Sequence, residues 1–200
     1  MPAISLPIPG LLPTELSAGD RLTQPEFHAI YETMPKHIRA ELIAGVVYMA
    51  SPMKRRHGRN QFPLGAVLQS YESSTPGVEA GAGTTFILDP LSEPQPDACL
   101  YILPECGGQV VENSSGYFEG APEFVCEVSD STRGVDLTGK LEEYRRCGVR
   151  EYVVLICVTT EFTGSTSQPM KNWLRTTLDS SDQSSAQGYG FTQRHCCDGI

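Results

Sequence analysis

Apolar positions along the chain change their period several times, and each change marks an element. In LTQPEFHAIYETMP, Phe27, Ile30, Tyr31 and Met34 recur at helical spacing. Thr23 stands three residues ahead of Glu26, a capping box, so a helix is predicted over residues 25–34. AELIAGVVYMASP gives two β-rich runs around Ala44-Gly45, read as a hairpin or bulged strand ending at Ser51-Pro52. From Gly58 to Tyr71, the positions of Leu64, Val67, Leu68 and Tyr71 predict a second helix, with Pro63 in its first turn or at a kink. GVEAGAGTTFILD and QPDACLYIL read as strands separated by the turn-rich PLSEP. Gly81-Ala-Gly83 lies inside such a run and lacks the GxGxxG-before-helix context of a phosphate loop. Glycines and an asparagine make residues 104–122 a loop or hairpin.

The next stretch is the most informative. EFVCEV reads as a buried strand, Val135–Cys147 as a helix closed by Gly148, and Glu151–Val158 as another buried strand. Strand, helix and strand at that spacing form a parallel crossover, so the predicted core is α/β with a mixed sheet. On the helix, Leu137, Lys140, Leu141 and Tyr144 share the inward stripe, while Glu142, Glu143, Arg145 and Arg146 are expected to point elsewhere. A lysine in an apolar stripe can snorkel outward. A right-handed crossover also brings Lys140 toward the carboxyl end of the preceding strand, where Glu127 lies.

Composition narrows the class. The 200 residues fit one domain of ordinary size, and 40% hydrophobic with 20% charged residues is the balance of a soluble globular chain. The longest apolar run, Tyr152–Val158, is far short of the roughly 20 residues of a membrane span. Residues 1–20 read as an N-terminal arm, and MPAISLPIPGLLP lacks the charged start of a signal peptide. Seven cysteines without a CxxC pair imply reduced thiols and a cytoplasmic location. Cys99, Cys126 and Cys157 read as core residues, and His195-Cys196-Cys197 lacks the separated pairs of a zinc site. A net charge of −9 disfavours nonspecific attraction to nucleic acid, so any such contact must be local. The basic run Lys54, Arg55, Arg56, His57 and Arg59 is the one candidate, against the ordinary reading of a solvated loop.

Glu41 begins one β run, Asp97 introduces another after Gln95-Pro96, and Glu127 ends a third. Carboxylates converging from separate strands suit a hard cation such as Mg²⁺, which takes oxygen ligands and keeps waters. Pro96-Asp97 followed by Glu127, with Lys140 displaced onto the next helix, resembles the PD-(D/E)xK nuclease superfamily with a migrated lysine. LTQPEFHAIYETMP, AELIAGVVYMASP, His57, EPQPDACLYI, GAPEFVCEVSDST, Asp136, Lys140, Tyr144 and GVREY together resemble the Uma-two (Uma2) family of endonucleases over residues 21–160.

The resemblance implies a restriction-endonuclease-like core, a central mixed sheet flanked by helices, and metal-dependent phosphodiester hydrolysis in nucleic acid, DNA above all. It implies that Asp97, Glu127 and the Val128 carbonyl hold Mg²⁺, with Mn²⁺ as a substitute. Lys140 then orients the attacking water, Glu41 assists, and His57, Ser129, Asp136 and Tyr144 support the site by hydrogen bonding or packing. Against the family pattern, Ala44 replaces a common acid, Val153 replaces a common tryptophan, and Pro63 interrupts an expected helix. A binding module that has the nuclease fold but does not cut is the second reading. The chain has no GxSxG elbow, HExxH or P-loop to support another hydrolase.

Residues 161–200 depart from the family ending. Read one base earlier, Gln168–Leu174 can encode Ala-Ala-Asn-Glu-Glu-Leu-Ala, and Gln187–Phe191 can encode Pro-Gly-Leu-Trp-Ile, a family-like close. A reading-frame slip near residues 162–164 is therefore expected, which the encoding DNA would reveal. Such a tail would lack the last strands and weaken any homodimer built on that end.

Overall fold

The computed structural model describes residues 15–129, 133–157 and 174–176. Helix α1 spans Gln24–Tyr31. Glu26 caps it by accepting from the Thr23 N–H at 2.9 Å and from the Thr23 hydroxyl at 2.7 Å. Strands β1 (Ala40–Ile43) and β2 (Val46–Met49) form an antiparallel hairpin. Its two-residue turn has φ of 50° at Ala44 and 76° at Gly45, the left-handed pair that matches strand twist in tight hairpins. Residues 15–20, grouped by sequence with the arm, pack onto this unit. Leu16 is buried with Phe27, Ile30, Leu42 and Val47, and the Gly19 N–H donates to the Val47 carbonyl.

Helix α2 runs over Arg55–Ser74, followed by β3 (Val78–Gly81), β4 (Phe86–Ile87) and β5 (Ala98–Ile102). A short 3-10 turn at Pro104–Cys106 leads to the strands β6 (Val111–Glu112) and β7 (Phe118–Glu119). Then come β8 (Phe124–Ser129), α3 (Arg133–Leu137), α4 (Gly139–Arg146), β9 (Glu151–Ile156) and β10 (Leu174–Thr176).

The central sheet has the order β10-β9-β8-β5-β3. Strands β8 and β9 are parallel, as the crossover requires, and the other neighbours are antiparallel. Alternation along β8 sends Cys126 and Val128 toward Leu64 and Leu68 of α2, and Val125 toward Tyr144, Tyr152 and Val154 on the α4 side. Burial on both faces explains why EFVCEV reads as a continuous apolar run. Each fully buried leucine or valine here stabilises the sheet by roughly 1.5–3 kcal/mol. This is the mixed α/β architecture with flanking helices that the sequence predicts.

Four local expectations are corrected. Helix α2 starts three residues earlier than predicted, at Arg55, and carries Pro63 well inside it. The ring removes one helical hydrogen bond, and the anchoring of Leu64 and Leu68 carries the helix through. The predicted helix 135–147 divides at Thr138, where φ is −129° and ψ −77°. The Thr138 hydroxyl bonds back to the Gly134 carbonyl at 2.6 Å, a competitor to helical bonding. GVEAGAGTTFILD splits into β3 and β4, which lie in different sheets, with Gly83 at φ 62°. Glu143, assigned by its helical position to the outer face, is buried.

In the tail, Leu174–Thr176 pairs antiparallel with β9. The rest of the frame-slip segment and His195, Cys196 and Cys197 lie outside the described residues. No helix among the described residues is long and apolar enough to cross a membrane.

Candidate active site

The antiparallel register of β5 and β8 pairs Ala98 with Cys126, which sets Asp97, one residue before β5, beside Glu127. The Asp97 N–H faces Glu127 Oε2 at 3.4 Å, and Asp97 Oδ2 accepts from the Val128 N–H at 2.8 Å. A strand residue turns its N–H and C=O to the same side, so the Val128 carbonyl also lies on the Asp97 side. His57 of α2 contacts Asp97 Oδ1 through Nε2 at 3.1 Å, and the Gln61 amide donates to the Asp97 carbonyl at 3.1 Å.

Alternation in β8 aims Glu127 at α4. Lys140 Nζ donates to Glu127 Oε1 at 2.9 Å and spans the two oxygens of Glu41, at 3.0 Å and 2.7 Å. The Tyr144 hydroxyl donates to the same Glu127 oxygen at 3.2 Å. Glu41 is further fixed by the Gln95 N–H at 2.7 Å. Glu41, Gln95, Asp97, Glu127 and Lys140 line one open cavity of about 650 Å³ together with His57, Val128 and Asp136. Lys140 is therefore turned inward rather than snorkelling, with its side chain 7% exposed.

Glu41, Asp97, Glu127 and Asp136 share the cavity lining with Arg39, Lys54 and Lys140, and Lys140 is the cation in direct contact with Glu41 and Glu127. Burial pushes the Glu127 carboxyl well above the ordinary carboxylate range. Lys140 pulls it down, while Glu41, Asp97 and Asp136 push it further up. Burial alone would lower the Lys140 ammonium, but Glu127 and Glu41 together outweigh burial and hold it above the usual lysine value. Burial, then the charges of Glu127 and Glu41, raise the Tyr144 hydroxyl, so it stays a donor.

The donor set fits a hard divalent cation. Its atoms are carboxylate oxygens with lone pairs to spare, and the cavity has room for waters. The fit is to Mg²⁺, which needs one or two carboxylates and keeps its waters, rather than to an all-protein cage. Among the described residues, the one trio of acidic or sulfur groups with ligand atoms within 4.8 Å of one another is elsewhere: Asp89, Glu143 and Cys147. There Arg146 bridges Asp89 and Glu143, and burial pushes the Cys147 thiol up to about 11. In that trio Arg146 already holds an oxygen of each carboxylate, and its sulfur is a thiol rather than a thiolate.

Of the remaining sequence candidates, Asp136 lines the cavity and its carbonyl accepts from the Tyr152 hydroxyl at 2.9 Å. Ser129 is buried at the end of β8, away from the cavity lining, and its Oγ has no hydrogen-bond partner among the described residues. Sequence reasoning missed three neighbours. Gln95 and Gln61 brace Glu41 and Asp97. Glu93 is fully buried between His28 Nδ1 at 2.9 Å and the Gln24 amide at 2.7 Å. Gln24 and His28 stand at i and i+4, a pairing visible in QPEFH, but their acid lies 65 positions beyond His28.

No curated protein matches the chain. A solved structure of a protein titled "putative nuclease belonging to DUF820", from Anabaena variabilis, is similar at a TM-score of 0.53 and 15% identity. It covers 68% of this chain and 74% of its own, and shows a shared fold. A family model described as "Putative restriction endonuclease" matches residues 24–187. That match takes in the hairpin, helices α2 and α4, the central sheet and part of the segment after residue 160, and the chain belongs to this family, Uma2.

Proposed function

We propose that the chain is a metal-dependent endonuclease that hydrolyses phosphodiester bonds in DNA. The observation that carries this reading is the convergence of Glu41, Asp97, Glu127 and Lys140 from four separate segments of the chain into one open cavity. Asp97, Glu127 and the Val128 carbonyl would hold Mg²⁺, or Mn²⁺ in its place. The cation, when bound, supplies a water of lowered pKa and offsets charge developing on the phosphate oxygens.

The residues of the chain do the positioning. Lys140 stays protonated between Glu127 and Glu41, so it orients the attacking water and neutralises phosphate charge rather than taking a proton. Glu41 fixes Lys140 Nζ, Tyr144 fixes Glu127, and His57 fixes the second oxygen of Asp97. Val128 ties the two carboxylate-bearing strands at the point where they meet.

Cleavage of plasmid and oligonucleotide DNA with Mg²⁺ or Mn²⁺ tests this. Asp97→Ala and Lys140→Ala should each lower the rate on the order of a hundredfold or more. Cutting that survives both substitutions, or that persists in a chelator, would overturn it.

A further inference from the structure

One wall of the cavity carries two cations that the chemistry above does not use. Residues 37–39 and 48–54 both line the cavity. They meet at the open end of the β1–β2 hairpin, where the Ala50 N–H donates to the Arg39 carbonyl at 2.9 Å. Strand alternation sorts this hairpin into two faces. Leu42 and Val47 pair across the ladder and are buried against Phe27 and Ile30 of α1. Glu41 and Tyr48 form the next pair, so their side chains share the opposite face, and both line the cavity. Arg39 stands two residues before Glu41, about 6.8 Å along the chain on that same face. Its guanidinium lies against Gly83, where an added Cβ would come within 3.1 Å of Nη1. The Gly83 N–H donates to the carbonyl of Pro96, the residue before Asp97.

Lys54 reaches the same cavity from another element. It is the N-cap of α2, three residues before His57, whose Nε2 contacts Asp97. Positions three apart share a helix face, and Lys54 and His57 are the members of the basic run 54–59 that line the cavity. Lys140 is held by Glu41 and Glu127. Arg39 and Lys54 are exposed, and among the described residues neither has a salt bridge. An exposed cation is ordinarily a solvated surface group. These two, however, stand on the wall of one cavity, close in sequence to the groups that hold Lys140 and Asp97, and out of ion-pair reach of its carboxylates. They are left for an anion from outside. A nucleic-acid strand brings a phosphate with every nucleotide, and arginine and lysine contacts to phosphates fix its position on a protein.

Resting on the nuclease reading of the cavity, we infer that Arg39 and Lys54 are the grip on the substrate. They hold phosphates neighbouring the bond to be cut, while Glu41, Asp97, Glu127 and Lys140 act on the bond itself. Binding and chemistry are then carried by separate residues of one cavity, and the substrate is a polynucleotide that extends beyond the bond cut.

Fluorescence anisotropy of a labelled DNA duplex in EDTA, over a salt series, reads the grip without catalysis. Arg39→Gln and Lys54→Gln should each weaken binding about tenfold. Each should also reduce the slope of log affinity against log salt by about 0.9. Arg39→Lys, which keeps the charge, should keep the parent slope. In cleavage with Mg²⁺, both glutamine variants should raise KM and leave kcat unchanged. Arg150→Gln is the control. This 61% exposed cation precedes β9 beside Phe124, at the end of β8 away from Glu127, and should move neither reading. Circular dichroism confirms the fold of every variant. A parent that binds no DNA in EDTA, an unchanged salt slope, an equal loss in Arg150→Gln, or a fall in kcat at unchanged KM would overturn the inference. A chain that shows the stated slopes but cuts no DNA with Mg²⁺ would instead overturn the nuclease reading alone.

Discussion

Helix α4 serves two buried charge clusters, Lys140 with Glu41 and Glu127 toward the cavity, and Glu143 with Arg146, Asp89 and Ser92 on another side. In the second, a half-exposed guanidinium covers two carboxylates, and Ser92 completes Glu143. Ser92 also accepts the Ala44 N–H at 3.0 Å, so this cluster pins the turn of the hairpin that carries Glu41. In the first, the Lys140 ammonium joins Glu41 and Glu127 in a cavity that opens onto solvent and is lined by Asp97, Lys54 and Arg39 as well. The same kinds of side chain on one helix therefore do different work: the closed set fixes backbone, and the open set turns its carboxylates toward a cavity.

The largest effect that would test this contrast is Lys140→Met. Removing this ammonium leaves Glu127 buried without its partner, which should cost roughly 3–5 kcal/mol in urea unfolding of the metal-free chain and abolish cleavage. A variant as stable as the parent would break the contrast.

An intermediate effect comes from pH. Glu127 is pushed up to about 8 from 4.5, first by burial. The folded chain therefore holds this proton at pH values where the unfolded chain has lost it. Stability from this group is fully present below the unfolded value and is lost as pH rises through the folded one. Stability in EDTA should fall across that window by an amount on the order of a few kcal/mol, read as falling thermal midpoints, and Mn²⁺ should raise the midpoints more at its upper end. Glu127→Gln should flatten the profile, and a slope that persists in this variant would assign the titration elsewhere.

The smallest effect is expected for Arg146→Met. Its side chain is 50% exposed, so screening limits the loss to about 1 kcal/mol, with cleavage unchanged. Loss of cutting here would mean that the second cluster takes part in catalysis.

The sequence made one half of this contrast visible. Helical spacing put Lys140 in the inward stripe, the crossover brought it to Glu127, and the strand starts supplied Asp97 and Glu41. These are local patterns, and the parallel pairing of β8 with β9 converts them into position. Glu143 was not legible, because what draws it inward is Ser92, 51 residues away. Glu93 was not legible either, since its partners sit on α1. The passage of α2 through Pro63 depends on tertiary anchoring of Leu64 and Leu68 that no window of the helix contains, and Thr138 breaks its helix through a side-chain bond that competes with the backbone.

The register that pairs Ala98 with Cys126 also orders events in time. Glu41, Asp97, Glu127 and Lys140 are distributed so that a growing chain acquires its lysine last, about a hundred positions after its first carboxylate. Until that residue has been made and β8 has paired in register, the carboxylates have no ammonium to gather around. Slippage of β8 by one place would present Cys126 or Val128 where Glu127 belongs. Nascent and misregistered chains therefore lack the assembled set of Glu41, Asp97, Glu127 and Lys140, and the proposed cutting centre forms only once β8 has paired in register.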